Sequence, residues 1–368
     1  MSDMQAIILQ SAEKILSKHT EKEIIDNAEK GHFPADLWKG LQESGLLLMG
    51  VREEQGGHGG DCTDGFRLIQ LAGKYSAPIP LAETLISNWV LAELGMEAND
   101  AVKSLSCLFE PEKNGLTFDG ICVSGKIPSV PYGRHAEYVI AFLKVEQEIE
   151  LLKIPVSLTM IEKAANLAGE PRDTLHINQL ALHQLEHMSI PTAVYERAAF
   201  LGAAARVAQM TGAMERIMEL VIEHVETRYQ FGRPLSRQQA IQHHIASLAG
   251  ELAAAKTALQ NAVSSVHDTR FAPEIALAKI RLNEGAGQFA KIAHQILAAI
   301  GFTQEHSLHY STRRLWSYRD EFGTEADWSN TFAHHLRKWG VNGLWNYLTK
   351  QREGKGEEHE RFTIYRYE

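Results

Sequence analysis

Cysteine is scarce: Cys62, Cys107 and Cys122 are the three in 368 residues, and no two stand at a Cys-x-x-Cys spacing. That excludes a disulfide framework and fits reduced, mostly buried thiols in a cytoplasmic protein. Long apolar runs are missing too. None approaches the roughly 20 residues needed to cross a bilayer, so no membrane span is expected. The first fifteen residues carry Asp3, Glu13 and Lys14 and lack a basic start followed by an apolar stretch, so no secretory signal is expected. Positive charge is short as well, with 37 Lys and Arg against 46 Asp and Glu and a formal net charge of −9. Non-specific nucleic-acid binding needs clustered cations and is excluded. An anionic ligand has to find local basic residues working against the overall field.

Histidine is plentiful, with 17 residues, but its spacing is poor for a metal. The neighbours His243-His244 and His334-His335 point about 100° apart on a helix. His306 and His309 can share a helical face, yet no further ligand is spaced to complete a site, so no metal centre is expected. The remaining composition, 44% hydrophobic and 23% charged, is that of a soluble globular protein with room for two or three domains.

Periodicity divides the chain into three regions and a tail. Residues 1–98 read as a helical domain. Ile7, Ile8, Ile15 and Leu16 recur at helical spacing, and Leu37, Trp38 and Leu41 follow Pro34, a residue suited to a first helical turn. The glycine-rich stretch Gly56-Gly57-His-Gly-Gly60 lacks the preceding strand and the Gly-Lys-Ser/Thr ending of a phosphate loop. It reads as a surface turn before a helix near 64–75. Residues 99–190 change character: runs at 117–127, 138–145, 149–161 and 175–182 are rich in Val, Ile and Leu between Gly, Pro and charged turns. They predict a small, mostly antiparallel β domain. Residues 191–350 return to long amphipathic helices, with stripes from Phe200 to Val225, Ile241 to Val266 and Ile275 to Ile300, a shorter helix ending near Asp320, and another carrying Trp328, Phe332, Leu336 and Trp339. Such stripes make a helical bundle core. Residues 351–368 form a charged, loose tail.

Between the first two long helices stands Arg228-Tyr-Gln-Phe231-Gly232-Arg-Pro234-Leu235-Ser-Arg-Gln-Gln239. A helix connection needs only Gly or Pro with polar residues. An Arg, a Phe and a Gln at set offsets suit a flat aromatic ligand bearing phosphate: guanidinium for the charge, Phe for the ring, amide for an edge. On spacing alone, a plain helix hairpin with a Gly-Pro turn is the favoured reading.

The α–β–α order with Arg-x-x-Phe-Gly between two C-terminal helices resembles the acyl-CoA dehydrogenase family over nearly the whole chain. Leu46-Leu-Leu-Met-Gly50-Val-Arg-Glu-Glu54-Gln-Gly56-Gly57 is similar to that family's N-terminal motif, with Arg52 where Pro is usual. Val123-Ser-Gly125-Lys126 followed by Ala136-Glu-Tyr-Val-Ile resembles its β-domain signature, Gly212 falls where the family has a Gly, and Gln295-Ile-Leu-Ala-Ala-Ile-Gly301-Phe302 resembles its Gln-x-x-Gly-Gly-x-Gly-Phe segment with Ala298-Ala299 for Gly-Gly. The resemblance implies a mainly α fold with an N-terminal helical domain, a small β domain and a C-terminal four-helix bundle. It implies FAD between the β domain and the bundle, each flavin shared by two subunits. Arg228, Phe231 and Gln239 then match contacts to the ADP portion of a neighbour's cofactor, Gln295 and Gly301 match the partner segment at the pyrophosphate, and Thr324 and Ser129 offer hydroxyls. The reaction implied is α,β-dehydrogenation of an acyl-CoA thioester, with electrons passing to a flavoprotein acceptor; an oxidase is not separable by sequence.

Two departures bear on catalysis. The family's commonest base lies in Tyr-Glu-Gly-Thr, but this chain reads Glu321-Phe322-Gly323-Thr324, placing Phe at the matched position. The alternative position, ten residues before the bundle Gly, falls on Gly202. Asp320 and Glu321 are the nearby carboxylates, and Glu321 is the candidate base. In the β domain Ile127-Pro128-Ser129 stands for Trp-Ile-Thr. The ending from Ile300 to Gly323 resembles a branch acting on steroid side chains and other bulky acyl-CoAs, whose members often pair unlike subunits. The expectation is therefore a dehydrogenase subunit working with a second dehydrogenase-like subunit. The alternatives are a self-sufficient homotetramer using Glu321, or a non-catalytic structural partner.

Overall fold

Spacings of three and four become helices at both ends of the chain, and β-branched runs become strands in the middle. The computed structural model describes residues 3–106 and 115–349, so Cys107 and the tail expected at 351–368 lie outside the described residues. Five helices come first: α1 (Asp3–Lys18), α2 (Lys22–Glu29), α3 (Ala35–Glu43), α4 (Cys62–Lys74) and α5 (Leu81–Glu93). The Gly-rich turn is spent on backbone geometry. Gly56, Gly59 and Gly60 are left-handed, and a Cβ at Gly57 would lie 1.9 Å from the Val51 carbonyl oxygen. Asp61 and Asp64 then exchange side-chain and backbone hydrogen bonds as a capping box that starts α4. Leu81 to Ala92 of α5 are all buried, as expected of a helix apolar on every side.

The middle region holds two four-stranded sheets. One runs β1 (Lys103–Ser106), β4 (Tyr138–Val145), β5 (Glu148–Pro155), β8 (Glu186–Ile190); the other β2 (Leu116–Phe118), β3 (Cys122–Pro131), β7 (Arg172–Ala181), β6 (Met160–Glu162). Only β1 with β4 pairs in parallel among these strands. The run expected at 117–127 is two strands, because the Asp119 carboxylate accepts from the amides of Ile121 and Cys122 and turns the chain. The run at 149–161 breaks after Pro155, and its ends belong to different sheets.

The bundle is built from α6 (Thr192–Thr227), α7 (Gln239–Ser264), α8 (Phe271–Leu297) and α9 (Leu308–Asp320), with α10 (Glu325–Thr349) packed on α8. Between α6 and α7 a short ladder pairs β9 (Tyr229–Gln230) with β10 (Arg233–Pro234). Gly212 has a purely packing reason. A Cβ there would stand 2.0 Å from the Gln70 carbonyl oxygen of α4, and one at Gly73 would stand 2.3 Å from that of Gln209. The N-terminal domain thus lies directly on the longest bundle helix.

Candidate active site and cofactor contacts

Where the three regions meet, six charges alternate in sign. Arg206 of α6 donates to Glu83 of α5 at 2.6 Å and, through Nε, to Glu321 at 2.6 Å. Arg172 of β7 meets the other face of Glu321, with Nε to Oε1 at 2.8 Å and Nη2 to Oε2 at 3.1 Å. Arg172 also reaches Glu170 at 3.1 Å, and Glu170 accepts from Arg314 of α9 at 3.0 Å. Tyr318 and Asn166 complete the hydrogen bonding of Glu170 at 2.8 and 3.1 Å. The arginines and Glu83 and Glu170 are buried, while the Glu321 side chain keeps one-fifth of its exposure (20%). Burial pushes both Glu170 and Glu321 up, but the guanidinium groups outweigh it: Glu170 is held down to about 2, and Glu321 below its ordinary range. The chemistry available to Glu321 is that of a carboxylate whose anion is stabilised between two cations.

The next three residues close the space beside it. Phe322 and Gly323 are both left-handed, and the Phe322 carbonyl accepts from the Trp328 indole at 2.8 Å. The Phe322 ring lies so close over α6 that a Cβ on Gly202 would stand 2.1 Å from its Cε1. The two positions where the sequence could have supplied a base therefore fill one another. Arg206 lies 5.0 Å from the Tyr318 ring centroid and 5.4 Å from that of Phe322, within cation–π reach. Thr324 caps α10: its hydroxyl donates to Asp327 at 2.7 Å, and its amide does so at 2.9 Å. Lys279, fully buried on α8, donates to the Tyr318 and Arg319 carbonyls at 2.9 and 3.0 Å and so ties down the end of α9. Burial pushes its ammonium down to about 7.

The other candidate residues stand elsewhere. Arg228 ends α6, and its guanidinium makes no ion pair among the described residues. Phe231 is 91% exposed at a left-handed φ of 54°. Gln239 begins α7 and is exposed, as is Gln295 near the end of α8. Gly301 is buried, and the close approach that calls for glycine is its own Leu297, whose Cβ would lie 2.9 Å from an added Cβ. Ser129 is exposed at a bulge in β3 with φ 55°. Arg228, Phe231 and Gln239 thus share one turn, whereas Glu321 and Thr324 sit at the junction. Sequence reasoning did not single out Arg172, Arg206, Glu83, Glu170 or Lys279. The visible signal was a charge on an otherwise apolar helical stripe, as at Arg206 among Ala203, Ala204, Ala205 and Val207.

The chain matches the acyl-CoA dehydrogenase N-terminal domain over residues 2–103 and the acyl-CoA dehydrogenase C-terminal domain over residues 194–333. It belongs to the acyl-CoA dehydrogenase family. Acyl-CoA dehydrogenase IpdE2 of Mycolicibacterium smegmatis is 24% identical over 323 residues, 85% of this chain and 93% of that one. The ChsE4-ChsE5 complex from Mycobacterium tuberculosis superposes with a TM-score of 0.83 at 17% identity, over 92% of this chain and 98% of that one. Butyryl-CoA dehydrogenase from Megasphaera elsdenii gives 0.82 at 18% identity, over 92% and 99%. These likenesses establish the fold anticipated above: an N-terminal helical domain, a small β domain and a C-terminal bundle.

FAD is the cofactor that acyl-CoA dehydrogenase membership brings. The residues divide on how they fit it. The exposed Arg228, with no anion among the described residues to satisfy it, fits a phosphate. At the junction Thr324 is engaged with Asp327 and Glu321 with Arg172 and Arg206, so neither side chain offers a free group there.

Proposed function

We propose that the chain acts in FAD-dependent α,β-dehydrogenation of an acyl-CoA thioester as one subunit of a hetero-oligomer, with the carboxylate base supplied by a second dehydrogenase-like subunit. The observation carrying this reading is the double clamp on Glu321. A general base must have a pKa near that of the proton it removes and a free lone pair to receive it. Glu321 has neither, since Arg172 and Arg206 take both oxygens and stabilise the anion. The reading therefore favours a positioning role for Glu321 over the self-sufficient enzyme.

When bound, the flavin supplies the acceptor for the hydrogen leaving the β carbon. This chain's part is to bind and orient. Arg228 offers charge-assisted hydrogen bonds to pyrophosphate, Phe231 an apolar face, and Gln239 an amide, all from one exposed turn. A flavoprotein electron acceptor and a cytoplasmic site of action complete the reading; no helix among the described residues is long and apolar enough to cross a membrane. A bulky acyl group agrees with the resemblance of the 300–323 segment.

The test is expression of the chain alone and with the product of a neighbouring dehydrogenase-like gene. Acyl-CoA should bleach flavin in the pair and not in the chain alone, and Glu321→Gln, once shown to fold, should leave the pH profile of the pair unmoved. Bleaching by the chain alone, or a profile displaced by Glu321→Gln, refutes the reading.

A further inference from the structure

We propose that His306 is a pH-sensitive latch on the connection between α8 and α9. While its ring is neutral it holds the start of α9 and the 298–306 turn together, and when it takes a proton it lets them open. The device goes beyond the proposed function, because it needs neither cofactor nor partner.

The first turn of a helix carries amides with no acceptor inside the helix. At α9 the residue just before the helix, Ser307, makes no side-chain capping bond, and the first turn holds no acidic residue. His306 supplies the missing acceptor: the Leu308 amide donates to its Nδ1 at 3.1 Å. A ring nitrogen accepts only with its lone pair free, so this bond selects the neutral ring with its proton on Nε2. His309 has the complementary form. Its Nδ1 lies 2.7 Å from the His306 carbonyl, which only accepts, so that nitrogen carries the proton. The pair whose spacing suits no metal thus ties one turn from opposite roles, and only His306 must give up its bond on protonation.

Three effects then act in one direction. An N–H on His306 Nδ1 faces the amide of the buried Leu308 and leaves it unpaired. A positive ring at a helix N-terminus opposes the dipole. The third effect is the ring's surroundings: His224 and Arg216 of α6 and His309 of α9 repel a charge on His306, while Glu223 of α6 attracts it. Burial first, then the three cationic neighbours, outweigh Glu223 and hold His306 below its ordinary 6.5. His309 faces Arg313 on its own helix and Lys22 and Glu29 of α2, and burial lowers it as well. A histidine held neutral in this way contributes stability that is present above 6.5 and lost as pH falls below it.

Opening spreads from α9 to the turn because both use Leu308. Its side chain lies against the turn, where a Cβ on Gly301 would meet Leu308 Cδ2 at 3.4 Å. The turn carries Ile300 and Phe302, 44% and 75% exposed, so the ordered form of this apolar surface depends on the latch.

Hydrogen exchange of the full chain, corrected for the chemical rate at each pH, tests this between about pH 8 and about pH 5. That window ends above 4.5, where the loss of Glu170 begins. Amides 308–310 should lose about fivefold in protection as pH falls, the effect of a missing cap, while β4 keeps its own. His306→Asn, whose amide oxygen accepts from the same N–H without titrating, should hold protection at the high-pH level throughout. Constant protection in the wild-type chain, an equal loss in β4, or a loss that persists in His306→Asn overturns the proposal. Should that variant not fold, the wild-type contrast between 308–310 and β4 decides by itself.

Discussion

At the scale of the residue, backbone conformation decides two positions where composition alone says little. Ala298 ends α8 at φ 52° and ψ −137°, a region suited to glycine. Ala298→Gly should therefore raise stability by about 1 kcal/mol, read as a higher denaturant midpoint at unchanged slope. Gly202 shows the reverse. A methyl group there meets Phe322 at 2.1 Å, and Gly202→Ala should cost about 1–3 kcal/mol. The cost should shrink in a Phe322→Ala background, so denaturation of the two single variants and the double variant should give a coupling of at least about 0.5 kcal/mol. Strict additivity would show that the two residues do not share the space. The motif could be read in the sequence at both places, but the conformations could not, because φ is set by what packs around the turn.

At the scale of the element, stripes of apolar residues were legible and partners were not. The three long helical stripes are α6, α7 and α8, and the strand expected at 138–145 is β4. The charge network escaped because its members are far apart in sequence: Arg206 and Glu321 are separated by 115 positions, Arg172 and Glu321 by 149. A lone Arg or Glu on an apolar stripe has no local sign of its partner. Strands β1 and β8 escaped because Lys103, Ser104 and Glu186 break an apolar pattern even though β1 is fully buried. Lys279 gives this scale its prediction. Its folded value is pushed by burial from 10.5 down to about 7, so between those values the unfolded chain binds a proton that the folded chain releases. Stability then rises as pH rises through that window and is lost as pH falls back to about 7. Lys279→Met should flatten this dependence, as measured by urea midpoints across the window. An unchanged slope would show that the ammonium stays charged where it caps α9.

At the scale of the whole molecule, the alternating charges join the N-terminal helices, the β domain and the bundle, so acid should unfold them together. Burial raises the Glu170 carboxyl, but Arg314 and Arg172 hold it down from 4.5 to about 2. A depressed carboxylate contributes stability that is present above 4.5 and lost as pH falls toward 2. Helix content and tryptophan fluorescence should therefore fall together in that window. Glu170→Gln, which leaves the buried Arg314 without its carboxylate and Arg172 with Glu321 alone, should cost about 3–5 kcal/mol at neutral pH. Loss of the fluorescence change well ahead of the helix signal would show that the three regions are not held as one unit. The family and the order of its domains were legible from a handful of short motifs. The clamp of Arg172 and Arg206 on Glu321 was not, because its distances connect parts of the chain that no single motif contains.

The paired filling of positions 202 and 322 acts as a ratchet on the history of the chain. A carboxylate introduced by Phe322→Glu would arrive beside Glu321 and compete with it for Arg206, whose guanidinium lies 5.4 Å from the Phe322 ring. Regaining independence would require Phe322, Glu321 and Arg172 to change together, each intermediate bearing an unbalanced buried charge. On the proposed division of labour, dependence on another subunit is then easier to keep than to undo.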